Sequence, residues 1–189
     1  CVRRGTCVDR EEIVDRGAEW TTAFIAAMHT HATARAPAVV GAVDLAGVRR
    51  LLDVGGGSGA WAIAFAQAND AVRAEVFDLP TVVPLAQGYI DAAGMQGRVT
   101  VRAGDMRTDS LGADYDLLFV SAICHMFDPA ENEALLDRAF AALAPGGRVV
   151  IQDFVLDPDK TSPAMGALFA LNMLVGTAGG SAYSEDEYT

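Results

Sequence analysis

Residues 51–59 read Leu51-Leu52-Asp53-Val54-Gly55-Gly56-Gly57-Ser58-Gly59, and the Ala-rich run 60–68 follows at once. A short apolar strand therefore turns through glycines into a helix. At such a turn several backbone amides are exposed and no Cβ blocks close approach, so an anionic or carboxylate end can dock there. A glycine loop alone is a weak signal, because ordinary turn chemistry uses the same residues. What surrounds it is more informative. Strand-like runs at 50–54, 74–78, 99–103, 116–121 and 148–154 alternate with helical segments at 60–68, 81–93, 129–144 and 163–175. That alternation predicts an α/β fold, a doubly wound parallel sheet with right-handed crossovers and helices on both faces.

Upstream, residues 9–34 read as one helix: Asp9 caps it, Glu11 and Glu12 lie in its first turn, and Ile13, Trp20, Phe24, Ile25 and Met28 recur at helical spacing. Pro37 is expected to end it. This gives a helical lead-in over residues 1–47 and a sheet domain over 48–189. A length of 189 residues allows one domain with a helical appendage and no second full domain. The uncharged stretch 161–184 is broken by Asn172, Gly176, Thr177, Gly179 and Gly180, too early for a span of about 20 apolar residues. A buried helix running into a glycine turn is expected. At the C-terminus, 185–188 reads as the opening of another helix with no strand after it. The chain begins at Cys1 with no signal-peptide pattern, and reads as a piece of a longer protein.

Fourteen basic against twenty-five acidic residues give a net charge of −11, a field that repels nucleic acid and anionic membranes. Hydrophobic residues at 51% and charged residues at 21% exclude a disordered chain. Three cysteines, Cys1, Cys7 and Cys124, form neither a disulfide framework nor a zinc pattern, so no metal is expected and a reducing cytoplasm is the natural compartment.

Two more features fall at strand ends, where open α/β sheets bind ligands. Asp78 ends the second strand about 20 residues after the loop, the position from which a carboxylate holds both hydroxyls of a ribose; otherwise it starts the turn at Leu79-Pro80. Gly104-Asp105-Met106 follows the third strand. There Asp105 could accept from an adenine amine while Met106 lies against the ring, although Asp105 taken alone fits a turn residue better than a base contact. His29 and His31, two apart on a helix, do not share a face and are read as surface polarity.

The ordered set 51–59, Phe77-Asp78-Leu79-Pro80, Gly104-Asp105-Met106, Ile123-Cys124-His125, Leu143-Ala144-Pro145-Gly146-Gly147 and Gln152-Asp153 resembles the S-adenosylmethionine-dependent small-molecule O-methyltransferases, the plant caffeate-type enzymes and their bacterial natural-product relatives. The resemblance covers nearly everything from residue 20 onward. It implies a Rossmann-like class I methyltransferase sheet lacking its C-terminal strands here, and a homodimer through a domain upstream. It also implies S-adenosylmethionine as cofactor, S-adenosylhomocysteine as product, and a small-molecule acceptor with a phenolic hydroxyl. By position, Gly55 and Gly57 would approach the methionine moiety, Asp78 with Leu79 the ribose, Asp105 and Met106 the adenine. Ser121 stands where the plant enzymes carry a lysine near the cofactor, and Phe127 could cover the adenine. Met28, Asn172, Met173 and Thr177 match acceptor-pocket positions, with core packing an equal reading for the two methionines.

His125 follows the fourth strand and matches the family's general base, with Asp153 as the acid that orients it. A phenol near pKa 10 and a histidine near 6.5 make full proton transfer before methylation cost about 5 kcal/mol, so proton removal must accompany attack. Two departures from the family pattern stand out: Met126-Phe127 replaces Asp-Trp, and Ala182 replaces a third acidic residue. Three other readings remain open. One is a relative with decarboxylase- or hydroxylase-like chemistry, and another a non-catalytic cofactor-binding or dimerising module. The third, a nicotinamide dehydrogenase, is disfavoured by the Gly55-x-Gly57-x-Gly59 spacing.

Overall fold

The computed structural model describes residues 17–188. The expected start of the first helix, with Asp9, Glu11, Glu12 and Ile13, lies outside the described residues, as do Cys1 and Cys7. Helix α1 spans Ala18–Ala42 and leads to the sheet. Then follow β1 (Arg50–Val54), α2 (Ala60–Ala68), β2 (Arg73–Asp78), α3 (Val83–Ala92), β3 (Val99–Ala103) and β4 (Tyr115–Ser121). After β4 come a short 3-10 turn (Cys124–Met126), α4 (Pro129–Ala142), β5 (Leu143–Gln152), α5 (Ala164–Gly176) and a second 3-10 turn (Glu185–Glu187).

All five strands are parallel, in the order β3-β2-β1-β4-β5. Strand order reverses at β1, so the carboxyl ends of β1 and β4 flank the crevice of a doubly wound sheet. Alternate residues of the central strands face two cores. Leu51, Leu117 and Phe119 pack with α1 and α2 on one side, and Leu52, Val54, Leu118 and Val120 with Leu135 and Ala139 of α4 on the other. Burial on both faces is why these strands read as continuous apolar runs rather than alternating ones.

Three expectations are corrected. Pro37 lies inside α1 and does not end it. The bond it removes belongs to the carbonyl of Thr33; both residues are exposed, where water can take that bond, while Ala36 and Val40 are buried on the inner face and hold the helix together. Strand β5 begins at Leu143, not Arg148, because Tyr115 pairs with Leu143 before a register shift brings Leu117 opposite Arg148. Helix α5 is not buried. Gly166 and Met173 face inward, but Met165, Leu168, Leu171, Leu174 and Val175 are exposed. No helix among the described residues is long and apolar enough to cross a membrane.

Phe119 is fully buried and meets the edges of Trp61 and Phe65 at centroid distances of 5.5 and 4.9 Å. Truncation leaves a cavity at the centre of the sheet, so Phe119→Ala should lose about 3–5 kcal/mol in a denaturant titration.

Candidate active site

The glycine loop leaves β1 with its backbone committed to the neighbouring strand end. The Gly55 amide donates to the Phe77 carbonyl at 2.8 Å, and the Gly57 amide donates to Asp78 Oδ2 at 2.7 Å. Asp78 Oδ1 accepts from the Leu79 amide at 2.7 Å. Each carboxylate oxygen keeps a second lone pair, so Asp78 can fasten the loop and still accept from a diol. Burial pushes the Asp78 pKa up, opposed by these two amide bonds. At Gly56 close approach demands glycine, since a Cβ would lie 2.7 Å from Asp53 Cγ and 2.9 Å from Val76.

Asp53 lies beneath the loop, fully buried. One oxygen accepts from the Ala62 amide at 3.2 Å, and the other has no partner among the described residues. Burial raises its pKa from 3.8 to about 7.

Beyond β2, Met106 Cε reaches to 3.2 Å from where a Cβ of Gly55 would stand, so its thioether borders the loop. Its carbonyl accepts from Arg138 Nε at 3.0 Å, tying this segment to α4. Asp105 Oδ1 accepts from the Arg107 amide at 2.8 Å, an Asx turn that leaves the other oxygen without a hydrogen bond among the described residues. Phe127 is buried, with the Arg107 guanidinium 5.8 Å from its ring centre. Ser121, at the end of β4, donates to Gln152 Oε1 at 2.7 Å.

His125 sits in the 3-10 turn after β4, beside β5. Its Nδ1 is 2.7 Å from Asp153 Oδ1, its own amide donates to Asp153 Oδ2 at 3.2 Å, and the Phe154 amide donates to Oδ1 at 2.8 Å. An ionised carboxylate only accepts, so beside it the neutral ring carries its proton on Nδ1 and has its lone pair on Nε2. The imidazole also meets Phe169 edge-on at 4.7 Å, and Phe169 stacks on Phe154 at 3.9 Å. The tail closes over this turn: Tyr183 donates to the Phe127 carbonyl, and a Cβ at Gly180 would overlap the carbonyl oxygen of His125. Cys124 is a buried free thiol whose pKa burial, aided by the Asp153 charge, pushes up to about 12. Ala182, which stands where a third acidic residue was expected, is buried and contributes no charge.

The residues matched to an acceptor pocket are scattered in character. Met28 is partly exposed, Asn172 is exposed and Met173 is buried. The Thr177 hydroxyl donates to the Met173 carbonyl at 2.9 Å and accepts from the Gly180 amide at 2.8 Å, so it caps α5. A cleft of about 380 Å³ lies against Asp153, lined by Arg35, Gln152, Phe154, Val155, Pro163, Met165 and Gly166. Among the described residues no three His, Cys, Asp or Glu side chains group to hold a metal ion.

One contact was missed by reading the sequence. His29, expected to be surface polarity, points inward, with Nδ1 2.9 Å from Ser58 Oγ in the glycine loop. No spacing rule signals a bond between residues 29 positions apart.

A switch-point glycine loop, a buried acid at the next strand end and a histidine–carboxylate pair on the same edge define a Rossmann-like cofactor-dependent transferase. The O-methyltransferase domain model matches residues 9–189, and the chain belongs to that family, whose members depend on S-adenosylmethionine. It is 40% identical over 166 residues to the 3-hydroxy-5-methyl-1-naphthoate 3-O-methyltransferase of Streptomyces sahachiroi, covering 88% of this chain and 48% of that protein. It is 37% identical over 151 residues to the L-tyrosine C(3)-methyltransferase of Streptomyces lavendulae, covering 79% of this chain and 41% of that protein. The human N-acetylserotonin methyltransferase in complex with S-adenosylmethionine superposes with a TM-score of 0.88 at 26% identity, over 99% of this chain and 56% of that one. The chain thus spans about half the length of these proteins. The residues present fit this cofactor: a cradle at Gly56 that a Cβ would fill, and spare acceptor capacity on Asp78 and Asp105.

Asp53 binds its proton more tightly folded than unfolded, so its share of stability is present in acid and is lost as pH rises from about 4 through about 7. Asp53→Asn should flatten that stretch of a stability–pH profile measured by urea unfolding.

Proposed function

We propose that the protein containing this chain transfers the methyl group of S-adenosylmethionine to a hydroxyl, phenolic in character, of a small aromatic or polyketide-type metabolite, with His125 as general base. The observation that carries this is the His125–Asp153 pair, bonded through Nδ1, on the sheet edge that also bears the glycine loop and Asp78.

When bound, S-adenosylmethionine supplies an electrophilic sulfonium methyl. Gly55 and Gly57 would let the chain pass close to its methionine end, Asp78 beside Leu79 would accept from the ribose hydroxyls, and Asp105, Met106 and Phe127 would hold the adenine. The Ser121 hydroxyl is spent on Gln152, so this reading gives it only a structural part beside the cofactor. Nε2 of His125 would take the proton of the acceptor hydroxyl as its oxygen bonds to the methyl carbon, the carbon–sulfur bond breaks and S-adenosylhomocysteine leaves. Three hydrogen bonds hold Asp153 so that its charge faces the imidazolium that forms. The stacked Phe154–Phe169 pair offers a flat apolar wall for an aromatic acceptor. On this reading Met28, Asn172, Met173 and Thr177 would border the acceptor.

Arg35 supports a further detail. It lines the cleft against Asp153 and makes no ion pair among the described residues. An aromatic hydroxy acid is the acceptor chemistry that this cation and the naphthoate-methylating relative share.

With the full-length protein, His125→Ala should lower kcat about 10²- to 10⁴-fold while S-adenosylhomocysteine still binds by calorimetry. Asp153→Asn presents a donor to Nδ1, inverts the tautomer and should cost at least about 10-fold. Unchanged turnover in His125→Ala removes the base assignment. Methyl found on a ring carbon, as the tyrosine C(3)-methylating relative's name describes, removes the hydroxyl assignment. In a separate arm, Asp78→Ala should weaken S-adenosylhomocysteine binding at least about 10-fold, because it removes both the diol acceptor and the clasp on the Gly57 amide.

A further inference from the structure

The glycine loop contains one side chain able to hydrogen-bond, that of Ser58, and the residues on either side of it adopt left-handed backbone conformations, Gly57 at φ 57° and Gly59 at φ 74°. Such a loop has many accessible conformations, and a ligand that needs one of them must offset the ordering cost when it binds. Something ought to hold the loop beforehand. Asp78 does so from β2 through the Gly57 amide. The second tether comes from α1. His29 Nδ1 lies 2.9 Å from Ser58 Oγ, and the imidazole stacks on Tyr89 of α3 with ring centres 3.9 Å apart and planes 16° from parallel. One turn earlier on the same helix face, Ile25 Cδ1 is 3.7 Å from where a Cβ of Gly57 would be.

We infer that His29 is a positioning residue for the cofactor: clamped on Tyr89, it fixes Ser58 and so pre-orders the glycine loop for the amino-acid end of S-adenosylmethionine. This rests on the cofactor reading proposed above. The stack holds the ring plane, and the bond to Ser58 sets which edge of the ring faces the loop. Burial lowers the His29 pKa, which favours the neutral ring, and in its Nε2–H tautomer Nδ1 accepts from the Ser58 hydroxyl. Ser58 is itself buried, so removing the imidazole would strand its hydroxyl away from water. The effect falls on binding and not on the methyl-transfer step, because His29 touches neither the base nor the acceptor side of His125.

The test is calorimetric titration of full-length parent, His29→Ala, Ser58→Ala and the double variant with S-adenosylhomocysteine, alongside steady-state kinetics and apo-protein melting curves. Each single variant should weaken binding and raise KM for S-adenosylmethionine about 10-fold, with kcat at saturating donor within about 2-fold of the parent. The double variant should be no worse than either single one, since both remove the same bond. His29→Asn restores an acceptor near the Nδ1 position and should recover part of the affinity without Tyr89 stacking. That recovery also stands in for His29→Ala should the alanine variant fail to fold. Parent-like affinity in His29→Ala, or losses that simply add in the double variant, overturns the tether while leaving the cofactor reading intact. No binding by the parent overturns the cofactor reading, and the tether with it.

Discussion

A parallel sheet buried on both faces admits almost no polar chemistry along its strands, and that constraint decides where everything else in this molecule must lie. Leu51, Leu52, Leu117, Leu118 and Phe119 are fully buried, so a charged group among them would lose its hydration with nothing in return. The exception, Asp53, shows the rule. It keeps one amide partner, leaves one oxygen bare and holds its proton to about pH 7. The other carboxylates of the site stand instead at strand ends, where backbone amides not used by the ladder can satisfy them. Asp78 and Asp153 follow that pattern, with two and three hydrogen bonds to protein donors.

The same geometry explains why the two halves of the site can cooperate. The sheet order brings β4 beside β1, although α2, β2, α3 and β3 intervene in sequence. The glycine loop from β1 and the His125 turn from β4 therefore emerge side by side. Ile123, just before that turn, is in contact distance of Gly55, and Met106 reaches the same place from β3. One loop is thus bordered by segments from three strands.

Local pattern was enough to read most of this. The strand-loop-helix at 50–68, the acid ending β2, and the Asp105-Met106 turn are each set by a few consecutive residues, and their backbone follows from those residues. What escaped were features decided by packing at a distance. Pro37 reads as a stop because a proline forfeits a helix bond, yet the buried Ala36 and Val40 hold the helix in register past it. Helix α5 reads as buried because it is uncharged, but only Gly166 and Met173 of it are buried, with Phe169 half-buried against His125 and Phe154. His29 reads as surface polarity because polar residues on helices usually are, and only the fold brings α1, the glycine loop and Tyr89 together. The boundary of β5 shifted for a similar reason: the bulge opposite Tyr115 is a property of the pair of strands and not of either sequence.

The departures at Met126 and Ala182 bear on how firmly His125 is held. A histidine flanked by several acids could be oriented by any of them, whereas His125 has one carboxylate. That carboxylate is fixed from two directions, by the His125 amide and by the Phe154 amide, and its side chain is only 1% exposed. Charge-assisted hydrogen bonds of this kind are roughly twice as strong as neutral ones, and a rigid acceptor loses little entropy in using them. Apolar groups supply the remaining constraint. Phe169 meets the imidazole edge-on, and Tyr183, beside the buried Ala182, ties the tail to the Phe127 carbonyl. Where a further acid would add charge to this edge, the chain substitutes packing. The orientation of His125 is then set by shape and one carboxylate, and the sheet edge around it carries less negative charge than a second acid would give it.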